Sequence, residues 1–131
     1  MRVYCSHSIR GMYGANATRT QMKENCEAMI RLANQLRKAL SSIEFYVPAE
    51  HEDFVSIAYA LDYLSEEEIL EIDCCIIDNC DAVIVLVPDG DELQGGRKVE
   101  YDHAVDHNVP VCVYRLVGEA IEWLAHQQMT R

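Results

Sequence analysis

The sequence has few basic residues, and this shortage excludes one class of partner. The chain of 131 residues contains 11 lysines and arginines but 22 aspartates and glutamates, which gives a formal net charge of −11. A surface with that charge repels a polyanion, so DNA and RNA are not expected partners. A small anion is still permitted, because a few backbone N–H groups and one arginine can hold a phosphate whatever the net charge.

Residues 1–131 also show no long apolar run, no basic segment followed by an apolar one and no Cys-x-x-Cys spacing. Without about 18 consecutive apolar residues or a basic segment followed by an apolar one, we expect a soluble, cytoplasmic protein with no membrane contact. Six cysteines are present, two of them adjacent on a predicted helix, and we expect them to be reduced and to pack as small core side chains. Half of the residues are apolar, which predicts a single domain over residues 1–131.

Apolar segments and turn residues alternate along the chain in the order of an α/β fold. The pattern predicts strands at 2–6, 43–48, 82–88 and 109–114, and helices at 17–42, 65–81, 97–107 and 118–128, with a further helical stretch at 54–64 after a polar loop. The strand AVIVLVP is apolar on both faces, as a central parallel strand is. We therefore predict a Rossmann-like (flavodoxin-like) parallel sheet of four to five strands, in order 2-1-3-4, with helices on both faces.

Ligands of such a sheet bind beyond the carboxyl ends of the strands, where the strand order switches between strands 1 and 3. The loop after strand 1 contains Ser8, Ile9, Arg10 and Gly11. Gly11 allows a positive φ, Ser8 offers a hydroxyl, and Arg10 offers a planar fork to two phosphate oxygens. An anion cradle is one interpretation, and an ordinary turn with one exposed arginine is the other. The loop matches neither the Gly-x-x-x-x-Gly-Lys motif nor the Gly-x-Gly-x-x-Gly motif, so neither nucleoside triphosphate hydrolysis nor nicotinamide chemistry is predicted.

Two carboxylates on predicted helices are candidates for chemistry. Glu100 follows Gly95 and Gly96 near a helix start, where the helix N-terminus is expected to favour its ionised form, as a nucleophile or an oxocarbenium stabiliser requires. Asp73 shares an apolar stripe of its helix, and inward burial raises the pKa of a carboxyl group, as suits a proton donor. The alternative interpretations are that Glu100 is an ordinary surface glutamate and that Asp73 is a structural cap.

Three histidines and one tyrosine complete the candidates. Tyr4 on the first strand and His51 after the second are positioned to lie over the same pocket, or else to serve packing alone. His103 and His107 have a spacing of four, which can hold a metal, but the glutamate of a His-Glu-x-x-His motif is absent. We expect no metal site and no organic cofactor.

The motifs VYCSHSIRG, an aspartate in the helix before DAVIVLVP, and GGRKVEYDHAVDHNVPVCVY together resemble the nucleoside 2-deoxyribosyltransferase superfamily. Within it, the chain is most similar to the 2′-deoxynucleoside 5′-monophosphate N-glycosidases, over nearly its whole length. The most specific part is Ser8–Gly11, which resembles the phosphate-binding segment of these hydrolases. The resemblance implies hydrolysis of the N-glycosidic bond of a (deoxy)ribonucleoside 5′-monophosphate, giving free base and sugar 5-phosphate.

The resemblance also implies roles for individual residues. Glu100 matches the catalytic glutamate that attacks the anomeric carbon, Asp73 the aspartate that assists the leaving base, and Tyr4 the tyrosine of the first strand. The substrate- and phosphate-binding positions are Ser8, Ile9, Arg10, Gly11, His51, Gly95, Gly96 and Arg97. Two positions depart from the family pattern: Gln94 stands where the hydrolases usually have serine, and Arg97 where a small residue or threonine is common. The resemblance further implies a homodimer or higher homo-oligomer.

Two other functions stay open at this point. The first is base exchange between deoxyribonucleosides, which needs no 5′-phosphate. The second is a nucleotide-binding module on the same fold that is catalytically silent because Gln94 and Arg97 alter the pocket.

Overall fold

A four-stranded parallel sheet in the order β2-β1-β3-β4 forms the centre of the computed structural model, which describes residues 1–130. The strands are β1 (Arg2–Ser6), β2 (Glu44–Tyr46), β3 (Ala82–Leu86) and β4 (Val111–Tyr114). Each neighbouring pair is parallel. The predicted Rossmann-like α/β fold and its strand order are thereby confirmed.

Four α-helices and two 3₁₀ segments lie between the strands, and a fifth α-helix follows β4. The helices are α1 (Arg19–Ala39), α2 (Glu52–Ala60), α3 (Glu66–Ile77), α4 (Gly95–Asp106) and α5 (Val117–Met129). The 3₁₀ segments are Gly11–Asn16 and Pro48–His51, so the predicted polar loop after β2 is a 3₁₀ turn that leads directly into α2. No helix within residues 1–130 is long and apolar enough to cross a membrane.

Helices α1 and α5 cover one face of the sheet, and α3 and α4 cover the other. The first layer contains Leu36 and Leu124, fully buried with Val3 and Cys5 of β1. The second contains Ala104 of α4 and buries Tyr4 of β1. Because side chains alternate along a strand, β1 directs Val3 and Cys5 to one layer and Tyr4 and Ser6 to the other. Both side chains of the candidate site that come from β1 therefore lie on the α3–α4 side.

The start of α3 is fixed by its own sequence. Ser65 Oγ accepts from the Glu68 backbone N–H at 3.1 Å, and the Ser65 N–H donates to Glu68 Oε1 at 3.0 Å, which is a capping box. This capping box fixes the residue at which α3 begins. Asp73 lies about two helical turns after Ser65.

All six cysteines are free. Cys5 and Cys26 are buried, as a core role requires, but Cys75 is exposed and the other three are half-buried. Of the half-buried three, Cys80 and Cys112 pack against the core clusters, so the prediction of core side chains holds for four of the six cysteines and fails for exposed Cys75.

Candidate active site

A cavity of about 690 Å³ opens beyond the carboxyl ends of the central strands and brings most of the predicted site residues together. Its lining includes Tyr4, Ser8, Ile9, Arg10, Gly11, Asp73, Gly95, Gly96, Arg97 and Glu100. A second cavity of about 430 Å³ lies beside β4 and contains none of them. Arg10 and Glu100, which come from distant parts of the chain, thus share one cavity.

Glu100 is held at both carboxylate oxygens. Tyr4 Oη donates to Glu100 Oε2 at 2.5 Å, and Ser6 Oγ donates to Glu100 Oε1 at 2.7 Å. Tyr4 and Ser6 are fully buried and Glu100 is 5 % exposed. Two donors on fixed strand positions orient the carboxylate, so its conformation is set before any ligand arrives.

Burial raises the pKa of Glu100 to about 7, against the hydrogen bonds from Tyr4 and Ser6, which lower it; the negative charge of Asp73 raises it further. Glu100 is the sixth residue of α4, beyond the first turn in which the helix dipole acts strongly. The prediction that the helix N-terminus keeps Glu100 ionised is therefore wrong. Its anionic form depends on the two hydroxyl donors.

Asp73 lies half-buried on α3 and its pKa is raised to about 6, chiefly by burial. The Tyr4 hydroxyl lowers this pKa and the charge of Glu52 raises it. The pKa of Tyr4 is itself raised well above its usual value, by burial and then by the charges of Glu100 and Asp73. The Tyr4 hydroxyl thus interacts with the carboxyl groups of both Glu100 and Asp73. Near neutral pH, one of these two carboxyl groups can be a proton donor while the other is an anion.

The loop from Ser8 to Gly11 has a fixed shape. Ser8 Oγ accepts from the Gly11 backbone N–H at 2.8 Å, and Asn25 Nδ2 donates to the Ile9 carbonyl at 2.9 Å. Gly11 has φ +65°, and a Cβ on it would lie 2.9 Å from Asn25 Nδ2. The positive φ favours glycine at this position, and a larger residue would also have to displace the Asn25 amide that holds the Ile9 carbonyl.

Arg10 is half-exposed on the cavity wall. Its Nη2 lies 2.6 Å from Oε1 of Glu66, the first residue of α3, which also lines the cavity. Both side chains are well exposed, so the pair contributes little to stability. A phosphate can displace Glu66 at small energetic cost.

Arg97 is 4 % exposed and its guanidinium is already bound within the loop after β3. Nη2 lies 3.0 Å from Asp91 Oδ2 and donates to the Glu92 carbonyl, and Nη1 donates to the Leu86 carbonyl. Nε has no hydrogen-bond partner within residues 1–130. Arg97 lines the cavity as predicted, but its ion pair and hydrogen bonds hold the loop after β3 in place.

The start of α4 is open toward the cavity. Gln94 is the N-cap residue without a side-chain cap hydrogen bond, Gly95 has φ +60°, and the first turn carries no acidic residue. A Cβ on Gly96 would lie 3.2 Å from Leu70. The unpaired N–H groups and positive dipole of a helix start attract an anion.

His51 is not among the residues that line the cavity, contrary to its predicted placement. The residue is exposed, its ring stacks on Tyr46 at 4.8 Å, and Tyr46 stacks on Tyr4 at 5.6 Å, so His51 reaches the site only through Tyr46.

His7 lines the cavity instead. Its Nε2 accepts from the Ala49 N–H at 3.1 Å, and burial lowers its pKa to about 4, which keeps the ring neutral. The sequence reasoning missed both His7 and Ser6. The signal was their position, because Ser6 ends the predicted strand 1 on the face of Tyr4 and His7 is the first residue after that strand.

No protein-family model and no curated protein matches the chain. Among solved structures, the crystal structure of a conserved protein from Enterococcus faecalis V583 matches with a TM-score of 0.59 and 17% sequence identity. The match covers 86% of this chain and 62% of that chain, so this chain spans less than two thirds of that protein's length. The similarity shows a shared α/β fold.

Proposed function

We propose that the protein hydrolyses the N-glycosidic bond of (deoxy)ribonucleoside 5′-monophosphates, releasing the free base and a sugar 5-phosphate. The observation that carries the proposal is one cavity with Glu100, oriented by Tyr4 and Ser6, and the Ser8–Gly11 loop on its wall. The resemblance of the same residues to the hydrolase branch of the nucleoside 2-deoxyribosyltransferase superfamily supports it independently of the geometry.

The reaction begins with Glu100 as the nucleophile. A carboxylate oxygen forms a bond to the anomeric carbon while the bond from that carbon to the base nitrogen breaks, through an oxocarbenium-like state. The bonding electrons leave with the base, which takes a proton from Asp73. Water then attacks the anomeric carbon, Glu100 leaves as a carboxylate, and the ionised Asp73 accepts the proton of the water.

The protonation states of the two acids restrict this chemistry to a narrow pH window. Glu100 must be ionised, and its pKa is about 7; Asp73 must be protonated, and its pKa is about 6. The rate therefore rises with pH as Glu100 ionises and falls as Asp73 loses its proton, which gives a bell-shaped pH profile. The two apparent pKa values of that profile belong to the coupled carboxyl groups together and not to either one alone.

The 5′-phosphate is assigned to the Ser8–Gly11 loop and the open start of α4. The Arg10 guanidinium releases Glu66 and binds phosphate oxygens in its place, which supplies the positive charge. The backbone N–H groups of Gly95 and Gly96 supply neutral hydrogen-bond donors. Binding energy from the phosphate places the sugar over Glu100, so contacts remote from the reacting bond contribute to the rate.

The test is release of free base, measured by chromatography, from a panel of ribo- and deoxyribonucleoside monophosphates and the matching nucleosides. The parent protein should release base from monophosphates, and Glu100→Gln should not. Glu122→Gln, an exposed glutamate on α5, is the matched control and should retain full activity. Equal reaction of unphosphorylated nucleosides favours base exchange instead, and nucleotide binding without base release favours the silent binding module.

We also propose that the protein is a homodimer, with the outer side of α2 against a second copy. Apolar side chains at the cavity rim are strongly exposed, among them Phe54 at 74 %, Ile57 at 60 % and Tyr63 at 75 %. They adjoin Val55 and Tyr59, which line the cavity. An exposed apolar patch continuous with a cavity is typical of a subunit interface.

Light scattering during size-exclusion chromatography tests the dimer. The parent chain should elute with twice the mass of one chain, and Phe54→Asp should elute as a monomer. Met129→Asp, which changes a side chain 84 % exposed on α5, should leave the dimer intact. A monomeric parent at high micromolar concentration contradicts the proposal.

A further inference from the structure

Three metal-ligating side chains converge at the C-terminal ends of α3 and α4. Asp78 is the C-cap residue of α3, His103 lies in the last turn of α4, and His107 is the C-cap residue of α4. Their ligating atoms all lie within 4.8 Å of one another. The group is outside the cavity, because about 12 residues of helix, or roughly 18 Å, separate His107 from the start of α4.

An ion pair between Asp78 and His103 explains only part of this arrangement. His103 Nε2 lies 2.7 Å from Asp78 Oδ1, which accounts for two of the three side chains. The His107 ring stacks on His103 with centroids 4.0 Å apart, and His107 Nδ1 lies 2.9 Å from the His103 carbonyl oxygen. Since a carbonyl oxygen only accepts, Nδ1 of His107 carries the proton and its Nε2 keeps the lone pair. A histidine oriented in this way through Nδ1–H is arranged as metal-bound histidines usually are.

We propose that Asp78, His103 and His107 bind a divalent transition-metal ion of the zinc type. Two imidazole nitrogens and one carboxylate oxygen are a ligand set that Zn²⁺ accepts, with water completing a tetrahedron. The ion takes the place now held by the proton between His103 Nε2 and Asp78 Oδ1, and neutral His103 then carries its N–H on Nδ1. The histidines are one helical turn apart, so both nitrogens reach one ion on the same side of α4.

The ion links α3 to α4, and these helices carry Asp73 and Glu100. Because the metal binds the folded chain with all three ligands and the unfolded chain without this geometry, binding must raise thermal stability. This readout is independent of any activity at the cavity. The metal site and the proposed hydrolysis can therefore fail separately.

The experiment is calorimetric titration of the metal-free, reduced 131-residue chain with Zn²⁺, together with thermal unfolding. One Zn²⁺ per chain should bind, and an excess of about 100 times Kd should raise Tm by about 10 °C. His103→Gln and His107→Gln should each weaken binding by at least about tenfold. His126→Gln, an exposed histidine on α5, is the matched control and should bind as the parent does.

Absorption of the Co²⁺-loaded protein distinguishes this site from a cysteine site. Nitrogen and oxygen ligands should give visible bands without the strong near-ultraviolet band of a thiolate ligand, and Cys75→Ser should bind normally. The proposal is overturned by any of three results: no saturable binding, unchanged affinity in both histidine variants, or a thiolate band that disappears in Cys75→Ser. Circular dichroism of each variant confirms that it is folded.

Discussion

Replacing Tyr4 by phenylalanine removes one hydroxyl and leaves a ring of nearly the same volume in the same fully buried position. The hydroxyl donates to Glu100 Oε2 at 2.5 Å and lowers the pKa of that carboxyl group. Without it, Ser6 is the one remaining donor to Glu100 among the hydrogen bonds of residues 1–130. Glu100 then ionises less readily, and its pKa must rise further above about 7.

The size of the effect follows from the strength of the lost bond. A hydrogen bond to a charged group contributes about 1.5–3 kcal/mol, and each 1.4 kcal/mol changes an equilibrium about tenfold. The ionised fraction of Glu100 at pH 7 should therefore fall roughly 10- to 100-fold in Tyr4→Phe, and base release at that pH should fall with it. Because Asp73 loses its proton near pH 6, below the pKa of Glu100, raising the pH does not restore the rate. The change should therefore appear in the titration of the Glu100 carboxyl itself, which should move to higher pH.

Two measurements check this prediction. The rate of base release at pH 7 reports the loss through activity, and a carbon-13 NMR titration of the Glu100 carboxyl reports its ionisation without substrate. Tyr46→Phe is the matched control, because the Tyr46 ring stacks on Tyr4 but its hydroxyl is not among the donors to Glu100. A carboxyl titration that stays unchanged in Tyr4→Phe would refute the claim that this hydroxyl stabilises the anion.

Three further variants test the other parts of the site. Arg10→Ala should raise KM for monophosphates about 10- to 100-fold and leave the reaction of nucleosides unchanged, since a charged hydrogen bond to phosphate is lost; equal effects on both substrates would contradict the phosphate assignment. Glu100→Gln should flatten the pH dependence of stability. The raised pKa means that folded Glu100 binds its proton more tightly than the unfolded chain does, so its contribution is present at low pH and is lost as the pH rises through about 7. Urea unfolding should show the parent losing on the order of 3 kcal/mol relative to Glu100→Gln between pH 4 and pH 8, and parallel curves would count against the raised pKa. Arg97→Met should lower the free energy of unfolding by about 3–5 kcal/mol, because Asp91 is left buried without its partner, and a loss below 1 kcal/mol would show that the pair is not buried in solution.

The sheet could be predicted from the sequence because its strands are strongly apolar and its helices amphipathic. The segment AVIVLVP is apolar at every position before its proline, and β3 lies at the centre of the sheet. The ends of elements were harder to predict. The predicted long helix from residue 17 starts at Arg19, because Thr18 caps it through a bond from the Gln21 N–H. The polar segment after β2 contains Pro48 and acidic residues, yet its backbone forms a 3₁₀ turn followed by α2.

Within the site, the sequence predicted which residues lie near the cavity better than it predicted their partners. Sequence position indicates that Tyr4 and Glu100 lie near the pocket, and Asp73 was assigned to the site through the family resemblance. The sequence does not reveal that Ser6 donates to Glu100. A serine at the end of a strand gives no sign of its hydrogen-bond partner until the position of α4 relative to β1 is known. His51 was placed on the cavity for its position after β2, but its ring stacks on Tyr46.

Gln94 and Arg97, the two departures from the pattern of the family that the chain resembles, have contacts that are compatible with the proposed phosphate binding. Arg97 directs its guanidinium to Asp91 and to two loop carbonyls, so it fixes the wall of the cavity without filling the space over Glu100. Gln94 makes no side-chain cap to α4, which leaves the first N–H groups of the helix for a ligand. A serine at this position would compete for those N–H groups as a helix cap. The glutamine therefore favours an anion supplied by the substrate, in a site where Arg10 is the exposed cation.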